Sequence, residues 1–427
     1  AMIGSIVACL ASVLLFVLVG MNYGIDFRGG TMVELRFDEP RPIAVSDVST
    51  LGALVTAPDA DNTAFPMDEP VHLYTHESEK IALLGATGTA LDVINAVRAQ
   101  GIEASIVLVR VAEGVDADAT RSNMVGSAAS QTGAHAFAYA LGHVGVEPDL
   151  LIAPGYAATR IADAKNPVAD AVEQVAKKLQ AIAIFDTGGP TKEDSLAYRA
   201  DFSERFAYLV DPMVKVSAEG GPVVKPAAPF AAGLFIKRDK EKGGPYWSPS
   251  NQDCGGILGI ARPVSYYDGE IDHEANLLNE AGIATFIPAR LVQGAGGTCS
   301  ANGRILWGNR TTSTDPLWQF VNVVRTRALI EKTISRSFRW ANDQNLSPQL
   351  VIAIMRSLQQ FLDELKAVGA ILGVLTATTL KSDTLMLIFG GLATVRGILF
   401  RQRWLLAGVI LTSLTIGLIL TLLSTPM

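Results

Sequence analysis

The amino-acid sequence predicts a multidomain protein of mixed α/β and α+β class, with an apolar helix at each end that is a candidate transmembrane segment. Three observations support this fold class. Short β-branched runs alternate with helical patterns from residue 51 onward, two long amphipathic helices follow residue 315, and uncharged stretches stand near both ends. A chain of 427 residues exceeds the usual size of one domain, so about two or three domains are expected.

The two ends carry the most apolar sequence. Met2–Gly20 contains no charged residue and is close to the roughly 20 residues that a helix needs to cross a bilayer. Trp404–Leu423 is a second uncharged run, and the weaker apolar stretch Leu385–Phe400 precedes it. Arg401 and Arg403 lie between these C-terminal stretches, and the positive-inside rule would place them in the cytoplasm. Membrane association through the terminal segments is therefore predicted.

Composition excludes several other classes. The formal net charge of -7 argues against a nucleic-acid-binding protein, whose phosphate contacts need a basic surface. Cys9, Cys254 and Cys299 are far apart in the chain, so neither a disulfide framework nor the paired spacing of a metal site is present. We predict no cofactor and no metal.

The region after residue 51 has the pattern of an α/β layer. A helix over residues 89–100 precedes a β-branched strand over Ser105–Val111. Two further buried strands are predicted over residues 149–153 and 181–185, with a helix over residues 168–182 between them. Such alternation indicates βαβ-like units.

The middle of the chain carries strong turn signals. Gly-Gly-Pro triplets begin at residues 188, 220 and 243, and we predict loops and irregular strands over Gly188–Pro249. Ile283–Pro288 and Arg304–Trp307 are predicted strands on either side of the glycine-rich loop 293–303.

Two long helices complete the pattern. The first is predicted to begin at Asp315-Pro316, with an apolar face that includes Val321, Val324 and Ile334. The second is predicted to begin at Ser347-Pro348, an N-cap serine followed by proline at the first helical position.

The candidate catalytic, metal-binding and phosphate-binding residues are weak, and no enzyme is predicted. His72 and His76 have the spacing of helical metal ligands but lie in a β-prone run, which favours a surface pair. Asp272–Glu274 holds acid-base groups without an activated nucleophile and is interpreted as a solvated turn. The Gly85–Thr89 run lacks the lysine of a P-loop, and helix capping by one of its threonines explains it.

Two further features favour a structural role. Trp307, Gly308, Asn309, Arg310 and Thr311 suit a buried turn, in which Arg310 would bind a carboxylate or backbone carbonyls. We favour this role over a direct contact between subunits. The first long helix also has a basic side, and charges of this kind usually solvate a helix. It is formed by Arg325, Arg327, Lys332, Arg336 and Arg339.

The N-terminal residues resemble the SecD/SecF family of export-translocase subunits. That family follows its first membrane span with a glycine-rich turn, represented here by Gly24-Ile25-Asp26-Phe27-Arg28-Gly29-Gly30. The resemblance is specific but covers only residues 2–37. Since the rest of that family's membrane architecture is missing, export activity is not expected.

Residues 45–373 resemble the contractile tail sheath family of phages and R-type tailocins. Five segments carry this resemblance in order: Thr56–Pro58 with Phe65–Val71, Gly85–Thr89, Leu151–Gly155, Trp247–Asn251 and Trp307–Thr311. Phe320–Arg325 and Ile330–Lys332 follow as they do in that family. Each segment is short, but their order and spacing make chance agreement improbable.

The resemblance implies a tail-sheath-like fold with four parts. These are a SecF-like segment at 1–40, an outer α/β domain at 41–260, an inner domain with two long helices at 261–373, and a hydrophobic helical hairpin at 374–427. The last part is foreign to the sheath family. The resemblance also implies a homo-oligomer of hexameric rings that contracts around a tail tube, with tube and baseplate proteins as partners. Localisation would be the virion tail or the host cytoplasm.

Two expectations remain open at this stage. Because the inner domain of the family lies against the tube, Arg325, Arg336 and Arg339 are candidates for facing an acidic tube surface. The terminal segments stand where a sheath has its arms, so the alternative is a chimeric or membrane-anchored protein with a SecF-like N-terminus.

Overall fold

The computed structural model describes residues 43, 49–289, 304–341 and 348–371. Twelve strands and ten α-helices are formed by these residues. The strands are β1 (Leu51–Thr56), β2 (Pro70–Tyr74), β3 (Ser105–Val111), β4 (Leu150–Ile152), β5 (Ile182–Asp186), β6 (Ala207–Val210), β7 (Val214–Ala218), β8 (Gly221–Lys225), β9 (Gln252–Cys254), β10 (Gly259–Ile260), β11 (Ile283–Pro288) and β12 (Arg304–Trp307). The helices are α1 (Ser78–Ala82), α2 (Ala90–Arg98), α3 (Ala117–Val125), α4 (Ala140–Val144), α5 (Pro167–Leu179), α6 (Lys192–Ala200), α7 (Ala228–Lys242), α8 (Glu274–Glu280), α9 (Val321–Ser337) and α10 (Pro348–Ala367).

A mixed sheet of nine strands forms the centre of the subunit. Its strand order is β2-β3-β1-β4-β5-β6-β11-β12-β9. The run from β3 to β11 is parallel, whereas β2 at one edge and β12 and β9 at the other are antiparallel to their neighbours. A smaller antiparallel sheet has the order β10-β7-β8.

Helices cover both faces of the parallel strands. Every residue of β1, β4, β5 and β6 is buried, and successive side chains of a strand point to opposite faces. Helices α2 and α7 pack together and contact the central strands. Helices α3 and α5 pack with the 3-10 helix Gly133–Tyr139, and α5 also contacts β4 and β5.

Local sequence signals set several helix ends. The Asn166 side chain accepts a hydrogen bond of 2.9 Å from the Val168 N–H, and Pro167 occupies the first turn of α5. Thr191 and Asp194 form a reciprocal capping box at the start of α6. The predicted side-chain cap at the start of α2 is wrong. Thr89 occupies the N-cap position, but its Oγ1 accepts a hydrogen bond from the Thr56 N–H of β1 and makes no capping hydrogen bond to α2.

The predicted strands and the second long helix are confirmed. β3, β11 and β12 have the predicted bounds, and α10 begins at Pro348. The first long helix begins later than predicted, because Asp315 caps a short 3-10 helix at Pro316–Trp318 and α9 starts only at Val321. The loop 293–303 lies outside the described residues.

The prediction for Gly188–Pro249 is wrong. The Gly-Gly-Pro triplets do mark turns: Gly220 and Gly221 join β7 to β8, and Gly243 ends α7 with a left-handed backbone. The intervening sequence nevertheless forms regular elements, including the 15-residue helix α7. The first half of α7 is buried and apolar on all sides. Its sequence therefore shows no alternation of apolar and polar residues at the helical spacing.

The main hydrophobic core runs from Leu51 in β1 to Val324 in α9. Strands on both sides of the predicted boundary at residue 260 belong to the nine-stranded sheet, and the division into outer and inner domains stays a prediction. The predicted apolar helices at the termini lie outside the described residues. None of the helices within the described ranges is both long and apolar enough to span a membrane.

Candidate functional site

The Trp307–Thr311 turn connects β12 to α9. Gly308 has φ +136°, and a Cβ atom there would lie 2.8 Å from Ala284 Cα in β11, so glycine is required by conformation and by space. The Tyr208 hydroxyl donates a hydrogen bond of 2.8 Å to the Gly308 carbonyl. The Gly308 N–H donates to Ser250 Oγ at 3.0 Å. These contacts hold the turn against β6 and the segment before β9.

The same turn fixes the start of α9. The Val321 N–H donates to the Asn309 carbonyl at 3.0 Å, and Asn309 Nδ2 donates to Asn322 Oδ1 at 2.9 Å. The Thr311 hydroxyl donates to the Trp318 carbonyl at 2.7 Å. The turn therefore sets the direction in which α9 leaves the sheet.

Arg310 does not anchor the turn in the way the sequence suggested. Among the described residues its half-buried side chain makes no hydrogen bond or ion pair, and only its backbone forms a bridge with Phe320. Trp307 packs edge-on against Tyr266 with ring centroids 5.8 Å apart. The anchoring comes from main-chain groups of Gly308 and Asn309 and from the side chains of Asn309 and Thr311.

Arg325 lies inside the subunit, which corrects the expectation that it faces a tube. Its side chain is 5% exposed and pairs with Asp239 of α7, whose side chain is 2% exposed. Arg325 Nη1 lies 2.9 Å from Asp239 Oδ1, and Nη2 contacts the second carboxylate oxygen. The Ser49 hydroxyl also donates to Asp239 at 3.0 Å. A buried charge needs such partners because an unpaired one is costly.

The remaining basic residues in α9 and in the short 3-10 helix Arg339–Ala341 after it differ in how many ion-pair partners they have. Lys332 lies 2.9 Å from Glu147 and 2.7 Å from Asp149. Burial raises the pKa of Asp149 and the charge of Lys332 opposes that rise. Arg336 pairs with Glu147 at 2.9 Å and is one-third exposed. Arg339 is exposed and has no partner within the described ranges.

The carboxyl ends of β5 and β6 hold a polar cluster that sequence reasoning missed. This is the edge at which parallel sheets usually bind ligands. Here Asp211 accepts hydrogen bonds from the Thr187 and Ser195 hydroxyls at 2.5 and 2.7 Å, and it also pairs with Arg262. Asp186 accepts from the first backbone N–H groups of α7. The carboxylates of Asp186 and Asp211 both have hydrogen-bond partners within the subunit, and Ser195 is fully buried, so the cluster is a structural element of the subunit.

The weak catalytic candidates retain their structural interpretation. His72 lies in β2 with Nε2 2.8 Å from Ser105 Oγ, and His76 lies in the following turn. His273 caps α8 by accepting a hydrogen bond from the Asn276 N–H. Across the described ranges, no group of three or more potential ligands could hold a metal ion.

Comparison with known proteins identifies the family. The phage tail sheath protein central domain matches residues 128–293, and the phage tail sheath C-terminal domain matches residues 313–385. A prophage major tail sheath protein of Pseudomonas aeruginosa is 36% identical over 81% of this chain and 85% of its own length. The chain belongs to the phage tail sheath family.

Other relatives agree with this sheath assignment. The tail sheath protein of Escherichia phage P2 is 30% identical over 81% of this chain and 85% of its own length. The helical sheath of the anti-feeding prophage in its contracted state has a TM-score of 0.55 and 17% identity, covering 77% of this chain and 81% of that one. This likeness supports a tail-sheath-like α+β fold. As a member of this family, the sheath subunit is a structural protein and not an enzyme.

The resemblance of the N-terminal residues to the SecD/SecF family covers a much shorter part of the chain. The SecD/SecF GG motif matches residues 14–40. The SecDF translocase subunit of Brucella abortus is 66% identical over 32 residues, which is 8% of this chain and 4% of that protein. At the other end, the sheath C-terminal domain extends to residue 385, past the predicted boundary at residue 373. The comparisons do not favour the alternative of a translocase-type protein, because the sheath relatives cover most of the chain.

Proposed function

We propose that this chain polymerises as hexameric rings around a tail tube, and that contraction of the stacked rings drives the tube through a cell envelope. The observation that carries the proposal is the 36% identity with a tail sheath protein over 81% of this chain. The partners are further sheath subunits, tail tube proteins and baseplate proteins. The particle is a phage tail or a tailocin-like device.

The proposed mechanism uses rigid subunits and no nucleotide. One hydrophobic core extends from β1 to α9, and close-packed cores deform little when subunits move. The energy for contraction is stored in the metastable extended lattice. Edge strands β2 and β9 leave one side of their backbone unpaired within the described sheet, and such edges can accept strands from other chains.

We further propose that the C-terminal end of α9 faces the tube. Arg339 is exposed, and Arg336 is one-third exposed and shares Glu147 with Lys332. Asp149 also pairs with Lys332, so Glu147 and Asp149 balance Lys332 and Arg336, and Arg339 is the positive charge that this surface leaves without a partner among the described residues. An acidic tube surface would complement it. In this arrangement residues 261–373 form the inner domain and residues 41–260 the outer domain.

Charge reversal tests this contact. We expect Arg339→Glu to weaken co-sedimentation of sheath polymers with purified tubes roughly tenfold, because attraction at the contact becomes repulsion. Arg336→Glu should add to the effect, although it also breaks the internal pair with Glu147. Lys240→Glu in α7 is the matched control, since Lys240 is also an exposed cation on a helix. Unchanged binding by Arg339→Glu would remove the proposed tube contact.

Electron microscopy of the expressed full chain tests the function itself. Tubular polymers with sixfold rings are the expected product. A chain that stays monomeric under conditions that polymerise a related tail sheath protein would contradict the proposal.

A further inference from the structure

A basic and apolar surface lies where α9 begins. We call it the Trp318 patch; it consists of Arg205, Leu317, Trp318, Phe320, Val323 and Arg327. The guanidinium carbons of Arg205 and Arg327 lie 4.6 and 4.5 Å from the centroid of the Trp318 ring. Leu317 is 74% exposed, and Phe320 and Val323 are 43% and 41% exposed. Tryptophan, arginine and exposed apolar side chains without lysine are typical of the centre of a protein interface.

The two arginines of the patch differ in their partners. Arg327 pairs with Glu331 at 2.5 Å. Arg205 stacks on Trp318 and Phe206 but makes no hydrogen bond or ion pair with any described residue. Burial and the nearby charge of Arg327 lower the pKa of Arg205, yet a guanidinium stays charged at neutral pH. Its N–H donors are therefore available for a carboxylate from another molecule.

A second exposed surface has the complementary character. We call residues 267–272 the acidic loop; every one of them is exposed. It combines the carboxylates of Glu270 and Asp272 with Tyr267 and Ile271, which are 55% and 73% exposed. The Ile271 carbonyl accepts a hydrogen bond of 3.0 Å from the His273 N–H. Asn276 Nδ2 donates a second hydrogen bond of 3.1 Å to the same carbonyl.

The Trp318 patch and the acidic loop lie at opposite ends of β6. Arg205 precedes β6, and the Ala207 carbonyl at its start accepts a hydrogen bond from Thr312 just ahead of the patch. Asp211 follows β6 and pairs with Arg262, which in turn binds Glu274, two residues after the loop. At about 3.3 Å per residue, the two ends are roughly 20 Å apart. The two surfaces can therefore meet only between different copies of the chain.

We propose that the Trp318 patch of one subunit docks on the acidic loop of the next copy. Arg205 pairs with Glu270 or Asp272, and Leu317 packs beside Ile271. Because the contact joins two different surfaces, it is head-to-tail and repeats from subunit to subunit, giving a ring or a helix. The inference deepens the proposed function, on which it rests, by naming one contact of the assembly.

Thiol cross-linking of paired variants tests this contact. Cys9 and Cys299 are first replaced by serine in the full chain, and the buried Cys254 is retained. A Leu317→Cys chain is then mixed with an Ile271→Cys chain and treated with a short bis-maleimide. Because docking raises the local thiol concentration, we expect roughly tenfold more covalent dimer than in a control with Val115→Cys in place of Ile271→Cys. Val115 is fully exposed and belongs to neither surface.

The outcomes separate this contact from the proposed function. Cross-linking in the mixture, with little in either variant alone, supports head-to-tail docking whether or not tubular polymers form. Polymers without cross-linking above the Val115→Cys control overturn the contact and leave the proposed function standing. The contact is also overturned if Leu317→Cys alone gives as much covalent dimer as the mixture. The same holds if this variant cross-links only to a co-purified tube protein. Absence of both cross-links and polymers contradicts both proposals.

Discussion

At the scale of single residues, burial changes the pKa of Asp186 more than its hydrogen bonds do. Its carboxylate accepts hydrogen bonds of 2.6 and 2.9 Å from the Ala227 and Ala228 N–H groups at the start of α7, an arrangement that favours a negative charge. Complete burial and the nearby Asp211 nevertheless raise the pKa of Asp186 from 3.8 to about 7. The ionised form is therefore unfavourable in the folded subunit.

This pKa predicts a pH-dependent cost to stability. In the unfolded chain Asp186 loses its proton near pH 3.8, whereas the folded chain keeps it until about pH 7. The free energy of unfolding contributed by this group is thus highest below pH 3.8 and falls as pH rises to about 7. Asp186→Asn keeps the acceptor oxygen but removes this dependence, so its advantage over the wild type should grow by roughly 2–4 kcal/mol between pH 4 and pH 8.

Urea denaturation of the unassembled subunit at a series of pH values measures this difference. Asp272→Asn is the control, since Asp272 is exposed. A parallel pH dependence of Asp186→Asn and the wild type would contradict the assignment.

The arginines in and just after α9 show why sequence alone could not separate structural from surface charges. Arg325, Arg336 and Arg339 share one helical pattern, but their partners come from remote parts of the chain. Asp239 is 86 residues from Arg325 and Glu147 is 189 residues from Arg336. The turn at Gly308, by contrast, was predictable from adjacent residues, because a small residue between Trp307 and Asn309 already indicates a tight turn.

At the scale of elements, α10 is the least integrated of the long helices. Phe361 and Leu365 pack with Ile43 and with the partly buried Ile330 and Ile334 of α9 in a small core of their own. The start of α10 was predictable because a proline stands at its first position. The start of α7 was not predictable, because the buried first half of this helix has no polar face and its sequence therefore lacks the amphipathic pattern of a helix.

We therefore expect Phe361→Ala to loosen α10 without unfolding the sheet. Phe361 is 1% exposed, and removing a buried phenylalanine side chain costs roughly 3–5 kcal/mol. Hydrogen exchange should accelerate across α10 while amides in β4 and β5 keep their protection, because the small core can open separately. Met355→Ala, at a half-exposed position of the same helix, should leave both unchanged. Equal loss of protection in α10 and β5 would show that the two cores unfold together.

At the scale of the whole molecule, a shared sheet and a shared core join the two parts that the sequence had divided at residue 260. β12 extends the sheet formed by the earlier α/β layer, and α9 contributes Val321 and Val324 to the main core. Sequence patterns predicted the strands on each side of residue 260 but could not show that they share one sheet, because strand order depends on contacts between distant residues. Residues on both sides of residue 260 thus belong to one continuous sheet.

This continuity leads to a prediction about assembly. Amides in β1, β4 and β5 are buried and paired on both sides, so their exchange depends on global unfolding. Because assembly stabilises the folded state, polymerisation should leave this exchange equally slow or make it slower. The acidic loop and the patch residues Leu317, Phe320 and Val323 are exposed in the free subunit, and their segments should gain protection in polymers. Hydrogen-exchange mass spectrometry of free and polymerised chains measures both, and Ile271→Asp should abolish the gain at the two surfaces. Faster exchange in the central strands would instead mean that the subunit refolds on assembly, because a rigid body that is only covered at its surface does not lose protection in its core.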